Sequence, residues 1–318
     1  MKKGWMPMSK VKETIKIVLV MAVLAVGVFF GVNYLLHPQN ESATTTPTTT
    51  KKTTAKKTPH KAKINLVAVG DSLTEGVGDE SEGGYVGQIK KTLTTKQKLK
   101  VTTTNAGKSG DRSDQILARI NKSKVLQQKI AKADVITVTV GGNDLLQTLE
   151  GSLTSNNTAK NNATVAKAQT LYANKLTKLF NKLQSLNGTA SVFVFSIYNP
   201  IYVNFPNVTS ITHYISQWND QTQTTVSQYK HTYFMDINWT MSHGQYKTAA
   251  QIRKLKKAAS ATTLTSSKAI TGALETENKT NDLISTADNF HPNKRGYRVF
   301  TTKLYQTMMA HDAWLIKK

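Results

Sequence analysis

The chain contains no cysteine and is short of acidic residues, and both shortages exclude classes of protein. Without a thiol it forms no disulfide bond, uses no thiolate in catalysis and carries no thioether-linked lipid. Its 42 Lys and Arg residues outnumber 19 Asp and Glu residues, which gives a formal charge of +23. Because this charge is spread along the chain, we expect it to favour anionic surfaces such as lipid headgroups or cell-wall polymers.

The signatures of nucleic-acid and metal binding are also missing. We find no helix-turn-helix, zinc-ligand or RNA-recognition pattern, so nucleic acid is not an expected partner. The seven histidines are scattered and none has the paired spacing of metal ligands. We therefore expect no metal and no cofactor.

An apolar run covers residues 17–36 and follows a lysine-rich start over residues 1–16. A helix of about 20 residues spans about 30 Å, the thickness of a bilayer core. The positive-inside rule then predicts a cytoplasmic N-terminus, a transmembrane anchor and an extracytoplasmic remainder. A cleaved signal peptide, and hence secretion, is the alternative, but the length of the run and the lack of a small-residue cleavage site favour an uncleaved anchor.

Residues 37–62 consist mainly of Thr, Lys and Pro, whereas residues 63–318 have the composition of a folded domain. The first segment has too few apolar residues to fold, so we expect a disordered linker. In the second, strand-like apolar runs alternate with helix-like stretches. Such alternation predicts an α/β fold with a parallel sheet covered on both faces. The predicted strands are residues 64–69, 101–104, 135–140, 191–197 and 232–237, and the predicted helices are residues 113–131, 163–186, 210–229 and 293–314.

A serine, Ser72, directly follows the first predicted strand within Gly70-Asp71-Ser72-Leu73. Ligands of parallel α/β sheets bind beyond the carboxyl ends of the strands, so this serine is a candidate nucleophile. Serine needs a base to remove its proton and donors that stabilise the resulting oxyanion. The rest of the chain offers candidates for both.

The candidate base is His291, in Asp288-Asn289-Phe290-His291-Pro292. A carboxylate three residues before a histidine can reach it within one turn. Asp288 could then accept the Nδ1 proton, fix the tautomer and stabilise the imidazolium. A lone histidine near a helix start is more often a cap or a surface residue, but its combination with Ser72 favours a catalytic pair.

The candidate oxyanion donors follow the second and third predicted strands. Gly110 lacks a Cβ atom, so its N–H can approach a substrate closely, and Asn143 offers a side-chain NH₂. With the N–H of Ser72 these make three donors, and loss of one such donor typically costs about 10²–10³ in turnover. Each residue alone is typical of an ordinary turn or helix cap. Because the motifs that carry them follow successive strands, together they predict an oxyanion hole.

On these four motifs the chain resembles the SGNH (GDSL-type) hydrolase family over residues 64–310. The resemblance implies a three-layer flavodoxin-like fold with a central five-stranded parallel sheet. It implies Ser72 as nucleophile, His291 as base and Asp288 as its orienting carboxylate, with an oxyanion hole formed by Ser72, Gly110 and Asn143. Arg112 departs from the family pattern, in which a small hydroxyl residue is common, and could alter the rim of the pocket. The motifs are residues 70–73, 109–111, 141–144 and 288–292.

Three further segments bear on the substrate. Tyr198-Asn199-Pro200 follows the fourth predicted strand and should line the site. Residues 201–218 are rich in aromatic side chains and form either an apolar acyl groove or ordinary core. Residues 244–287 are a long, polar and basic insertion, either a lid or a surface excursion.

These features predict a membrane-anchored, extracytoplasmic serine esterase of lipase or acylhydrolase type. An O-acetyl esterase acting on cell-wall polysaccharide is the alternative, because the basic linker would reach outward. A module that keeps the fold and binds wall polymer without catalysis is a third hypothesis. The presence of every catalytic residue type speaks against the third.

Overall fold

The computed structural model describes residues 59–152, 158–259 and 281–317. The predicted anchor over residues 17–36 lies outside these ranges, as does most of the predicted linker. Within the described ranges, none of the helices is both long and apolar enough to cross a membrane.

Five parallel strands form one sheet in the order β2-β1-β3-β4-β5. The chain therefore moves outward from β1 to β2 and then crosses back to β3 on the other side of β1. Such a reversal opens a crevice at the carboxyl ends of the strands. The predicted five-stranded parallel sheet is confirmed. The strands are β1 (Lys63–Gly70), β2 (Lys100–Gly107), β3 (Val135–Val138), β4 (Ser191–Phe195) and β5 (Thr232–Met235).

Helices cover both faces of the sheet, because the side chains of β1, β3 and β4 point alternately to its two faces and are mostly apolar and buried. They are α1 (Ser72–Glu75), α2 (Gly84–Gln97), α3 (Ser113–Lys122), α4 (Lys124–Ala131), α5 (Gly142–Ser152), α6 (Thr158–Leu186), α7 (Thr209–Val226), α8 (Asn238–His243), α9 (Ala249–Ala258) and α10 (Lys294–Ala310), followed by a 3₁₀ turn at Asp312–Leu315.

Two apolar cores result, one on each face. In β1, Val67 and Val69 pack with α3 to α7, whereas Leu66 and Ala68 pack with α2, α8 and α10. The described residues of both cores lie between residues 64 and 315, and residues 57–318 form a compact unit of their own. This unit therefore contains the core that it needs to fold without residues 1–56.

The predicted helix over residues 113–131 is two helices. Ser123 lies in extended backbone between them (φ −102°, ψ 99°), and its hydroxyl accepts a hydrogen bond from the N–H of Leu126 at 3.2 Å. Serine competes for backbone donors in this way and so begins a new helix. Sequence patterning also missed α2, α5, α8 and α9.

The end of the predicted linker is held against the domain. The N–H of Lys61 donates to the Leu315 carbonyl at 2.7 Å, and Lys61 Nζ lies 2.6 Å from a carboxylate oxygen of Asp134. His60 forms a bridge with Ile316. His60 and Lys61, which the sequence assigned to the linker, therefore contact the folded domain.

Candidate active site

Ser72 is the first residue of α1 and lies directly beyond the carboxyl end of β1. Asp71 caps this short helix, because its carboxylate accepts a hydrogen bond from the N–H of Leu73 at 3.0 Å. The helix ends after one turn at Gly76, whose φ of 100° suits a glycine. Ser72 is only 6% exposed, so its hydroxyl is accessible from one side.

A buried network of hydroxyl groups holds the turn that carries Ser72. Thr139 Oγ1 donates to Asp71 at 2.7 Å and also lies 2.8 Å from Thr74 Oγ1. Tyr85 Oη is 2.9 Å from the same Thr74 oxygen. Burial raises the pKa of Asp71 despite these hydrogen bonds. The network joins β1, α1, α2 and the end of β3, and thereby fixes the position of the serine.

His291 contacts Ser72 and Asp288 through its two ring nitrogens. Its Nε2 atom lies 2.8 Å from Ser72 Oγ, and its Nδ1 atom lies 2.6 Å from Asp288 Oδ2. The structure thus brings together the three residues that the sequence proposed as nucleophile, base and orienting carboxylate. In this arrangement Nδ1 carries the proton donated to the carboxylate, which leaves Nε2 free to accept the serine proton.

The Asp288 carboxylate is held by more than the imidazole. Its Oδ1 atom accepts the N–H groups of Phe290 and His291, each at 3.0 Å. Burial works against ionisation of this carboxyl, but the His291 side chain and the two backbone donors outweigh it and lower the pKa of Asp288. Asn289 adopts a left-handed conformation (φ 52°), which allows the tight turn that brings Asp288 and His291 together.

The loop around His291 is anchored on both sides. The His291 carbonyl accepts the N–H of Ser285 at 2.8 Å. The carbonyl of the preceding residue, Phe290, accepts the Tyr198 hydroxyl at 2.9 Å. These bonds tie the loop to its own segment and to the end of β4. The histidine is thus positioned by the scaffold as well as by its carboxylate.

The structure places Asn143 beside Ser72 in one cavity. Asn143 is the second residue of α5, and its Nδ2 atom donates to the Asp111 carbonyl at 3.0 Å. An amide nitrogen has two protons, so one remains for a substrate. Gly141, just before α5, has a φ of 103°, and a Cβ atom there would lie 2.6 Å from the Tyr172 hydroxyl. The turn that aims Asn143 therefore requires glycine.

Gly110 lies on the loop after β2 and is not among the residues that line the cavity around Ser72. Its φ is 81°, and a Cβ atom built there meets no atom within 4 Å. Left-handed backbone, rather than crowding, is thus the local reason for glycine at this position. The preceding residue, Ser109, donates through N and Oγ to Glu75 Oε2, each at 2.6 Å, which fixes the loop against α1.

Asp144 and Arg112 stabilise the edge of the site. Asp144 accepts the N–H and the hydroxyl of Ser113 at 2.9 and 2.7 Å, and burial raises the pKa of its carboxyl. Arg112 donates to Asp114 and to Gln147. The hydrogen bond from Arg112 is the main reason why the pKa of Asp114 falls to about 2. Arg112 therefore bonds to neighbours of the site, and it neither lines the cavity around Ser72 nor contacts the triad.

An apolar pocket continues from the cavity around Ser72. The two share Gly142, Ile197, Tyr198, Pro200 and Phe290. The predicted contribution of Tyr198, Asn199 and Pro200 is therefore present. The pocket wall is otherwise made by aliphatic side chains of α5, α7 and the loop after β4: Leu145, Leu146, Leu149, Ile201, Ile211 and Ile215.

The aromatic residues of segment 201–218 do not line this pocket. Trp218 is 1% exposed and stacks on Tyr172 with ring centroids 5.3 Å apart. Tyr202 instead contacts the His243 ring, with centroids 4.1 Å apart and the ring planes tilted by 44°. Segment 201–218 thus contributes aromatic residues to the core and isoleucines to the wall of the pocket. The leucines of α5 were missed, although their helical spacing directly after Asn143 was a usable signal.

The insertion over residues 244–287 contains α9, and residues 260–280 lie outside the described ranges. Among the described residues, no group of three or more His, Asp or Glu side chains is placed to hold a metal ion.

Comparison with known proteins agrees with this geometry. Residues 68–299 match the GDSL-like Lipase/Acylhydrolase family. The chain belongs to this family. It is accordingly a hydrolase of ester bonds.

Individual relatives in this family cover different shares of the chain. The uncharacterized protein YpmR of Bacillus subtilis (strain 168) is 28% identical over 252 residues, 79% of this chain and 84% of YpmR. The spore germination lipase LipC of Bacillus licheniformis is 42% identical over 88 residues, 27% of this chain and 41% of LipC. The crystal structure of the lipase Lip_vut3 from a goat rumen metagenome has the same fold. It is 24% identical with a TM-score of 0.56 and covers 76% of this chain and 96% of Lip_vut3.

Proposed function

We propose that this GDSL hydrolase is a serine esterase that forms an acyl-enzyme on Ser72. The observation that carries the proposal is the continuous contact from Ser72 through His291 to Asp288, at 2.8 and 2.6 Å. His291 Nε2 takes the serine proton while Oγ attacks the ester carbonyl carbon. The same nitrogen then donates that proton to the leaving alcohol.

Deacylation repeats the sequence with water. His291 Nε2 accepts a proton from the water as its oxygen attacks the acyl carbonyl, and returns that proton to Ser72 Oγ when the acid leaves. Asp288 stays ionised and stabilises the imidazolium in both halves, a role that fits its lowered pKa. The oxyanion accepts hydrogen bonds from the N–H of Ser72 and the amide of Asn143, which both line the cavity. The family resemblance adds the N–H of Gly110, on the loop after β2, as the third donor.

The apolar pocket favours an acyl chain longer than acetyl. Leu145, Leu149 and Ile215 lie on its wall and are nearly fully buried. Each methylene group buried against such a wall is worth about 0.8 kcal/mol, or roughly fourfold in specificity. An acetyl group would leave this surface unused. We therefore favour a lipid-type acyl ester over the O-acetyl group of a wall polysaccharide.

Hydrolysis of p-nitrophenyl butyrate by residues 57–318 tests the proposal. We expect turnover that disappears in Ser72→Ala, with circular dichroism showing that the variant is folded. Turnover that survives Ser72→Ala would reject Ser72 as the nucleophile. A panel from acetate to decanoate then separates the two substrate classes, since activity on acetate alone would support the polysaccharide esterase.

The positive charge of the chain also suggests a binding module without catalysis, but membership of a hydrolase family argues against that hypothesis. Such a module would retain anionic polymer without hydrolysing esters. Folded protein that binds a polyanion and shows no turnover on any ester of the panel would support it.

We further propose that residues 17–36 anchor the enzyme in the cell membrane with the catalytic domain outside. The lysines before the run and the linker after it support this orientation. Added protease should remove the catalytic domain from intact protoplasts if the proposal is right. Complete protection of the domain, or its release into the medium, would contradict an extracytoplasmic anchored form.

A further inference from the structure

A partly exposed tryptophan heads a stack of rings on α8. Trp239 is 48% exposed, and its ring stacks on His243 with centroids 4.7 Å apart. The His243 ring in turn contacts the Tyr202 ring, with centroids 4.1 Å apart and the planes tilted by 44°. A large apolar ring is thus presented to solvent from a rigid base.

A basic helix adjoins this stack. Helix α9 buries Leu255 against the domain and exposes Arg253, Lys254, Lys256 and Lys257. The side-chain amide of Asn207 donates to the Lys256 carbonyl at 3.0 Å, which ties α9 to the loop that carries Tyr202. Burial and the nearby charge of Lys256 both act to lower the pKa of His243.

These positive charges are not balanced locally. The sequence has no Asp or Glu between Asp236 and Glu275. Within the described part of the chain, none of the four basic side chains of α9 takes part in an ion pair. We call Trp239, His243, Arg253, Lys254, Lys256 and Lys257 the basic–aromatic surface.

The basic–aromatic surface borders the apolar pocket. Ile201 lines the pocket, and the next residue, Tyr202, belongs to the ring stack. On the other side, the Ser242 hydroxyl of α8 accepts the N–H of the pocket residue Asn199 at 2.8 Å. A layer bound to this surface would therefore lie beside the pocket.

We propose that the basic–aromatic surface docks on an anionic phospholipid bilayer and so presents acyl chains to the pocket. The inference rests on the proposed esterase function and names its substrate class as membrane lipid. Lysines near an anionic bilayer gain about 1 kcal/mol each, which corresponds to about fivefold in affinity. An amphipathic ring such as that of Trp239 gains further by entering the interface. A hydrated polyanion would attract the lysines but would not take up the ring.

Co-sedimentation with vesicles tests the docking. We expect residues 57–318 to bind vesicles of equal parts phosphatidylglycerol and phosphatidylcholine, and not vesicles of phosphatidylcholine alone. The pair Lys254→Gln and Lys257→Gln should weaken binding by roughly 25-fold at low salt. The matched pair Lys124→Gln and Lys129→Gln, on α4 at the opposite end of the sheet, should change it less than threefold.

Tryptophan emission provides a second readout. It should shift to shorter wavelength on anionic vesicles, and Trp239→Phe should abolish the shift. Equal loss of binding in both lysine pairs would overturn the proposal, because the whole-domain charge would then be responsible. Binding to dextran sulfate with none to anionic vesicles would overturn it in favour of a polymer.

Failure of the docking and failure of the esterase are distinguishable. All these variants should hydrolyse soluble p-nitrophenyl butyrate like the wild type, because none changes the triad or the pocket. Selective vesicle binding by a protein without ester turnover would support the docking surface and reject the proposed esterase activity. Normal turnover on the soluble ester with no vesicle binding would support the esterase activity and reject the docking surface.

Discussion

His291 Nε2 lies 2.8 Å from Ser72 Oγ, although the two residues are 219 positions apart in the chain. One follows the first strand of the sheet and the other precedes the last helix. Because β1 lies inside the sheet, between β2 and β3, a residue at its carboxyl end can be reached from loops on either side. The topology thus brings a nucleophile and its base together without any local sequence relationship.

Replacing Asp288 by asparagine should lower kcat by roughly 10³–10⁴-fold while leaving KM within a few fold. Asparagine keeps the shape, but it loses the charge that stabilises the imidazolium and can force the wrong tautomer. Steady-state kinetics on p-nitrophenyl butyrate measure the effect. Asp282→Asn is the matched control, since that carboxylate pairs with Arg295 rather than with the triad. Similar losses in both variants would deny Asp288 a role at the imidazole.

The kcat/KM of the enzyme should fall as the pH is lowered from about 8 to about 4. Protonated His291 cannot accept the serine proton, so the active form is lost on the acid side. Asp288 does not cause this loss, because its pKa is below the usual value and its carboxylate persists to lower pH. A profile that stays flat over this range would reject His291 as the base.

Leu146→Trp should narrow the acyl-chain range of the enzyme. Leu146 lines the apolar pocket and is only partly buried, so a larger side chain fills the pocket without disrupting the core. We expect kcat/KM for octanoate to fall about tenfold or more relative to kcat/KM for acetate. A fall of this size corresponds to the exclusion of two or more methylene groups from the pocket. Leu171→Trp on α6, 54% exposed and outside this pocket, is the control. An unchanged octanoate-to-acetate ratio in Leu146→Trp would show that the chain binds elsewhere.

Asp71→Asn should stabilise the fold relative to the wild type by an amount that grows as pH rises from about 4 to about 7. Burial raises the pKa of Asp71 in the folded state above the ordinary value of 3.8. Ionisation of this carboxyl therefore destabilises the folded wild type as the pH rises from 3.8 through the raised pKa. Asparagine retains an acceptor for Leu73 and Thr139 and carries no charge. Urea unfolding at several pH values gives the difference. A difference that shrinks with pH would mean that the carboxylate is favoured in the fold.

The sequence was sufficient for the sheet because strand-like runs are a local pattern, whereas the contact between Ser72 and His291 depends on the topology that joins distant segments. Short apolar runs separated by helix-length stretches predict parallel strands, and the residues just beyond them meet at one edge. The break at Ser123 was missed, although residues 121–124 are all polar and the Ser123 hydroxyl accepts the N–H of Leu126 as a helix cap does.

The substrate pocket could not be predicted in the same way. Leu149 and Ile215 meet only because α5 and α7 pack on the same face of the sheet. Apolar residues at helical spacing look identical in sequence whether they fill a core or line a cavity. The aromatic residues of segment 201–218 suggested a groove, but Trp218 is used in the core.

Covalent labelling of Ser72 by a fluorophosphonate tests the central claim most directly. We expect residues 57–318 to take up one probe molecule, with the modified peptide containing Ser72. Labelling should be absent in Ser72→Ala and slowed by about 10³-fold or more in His291→Ala, with both variants folded by circular dichroism. Folded wild-type protein that fails to react, or that is labelled at another serine, would contradict the account.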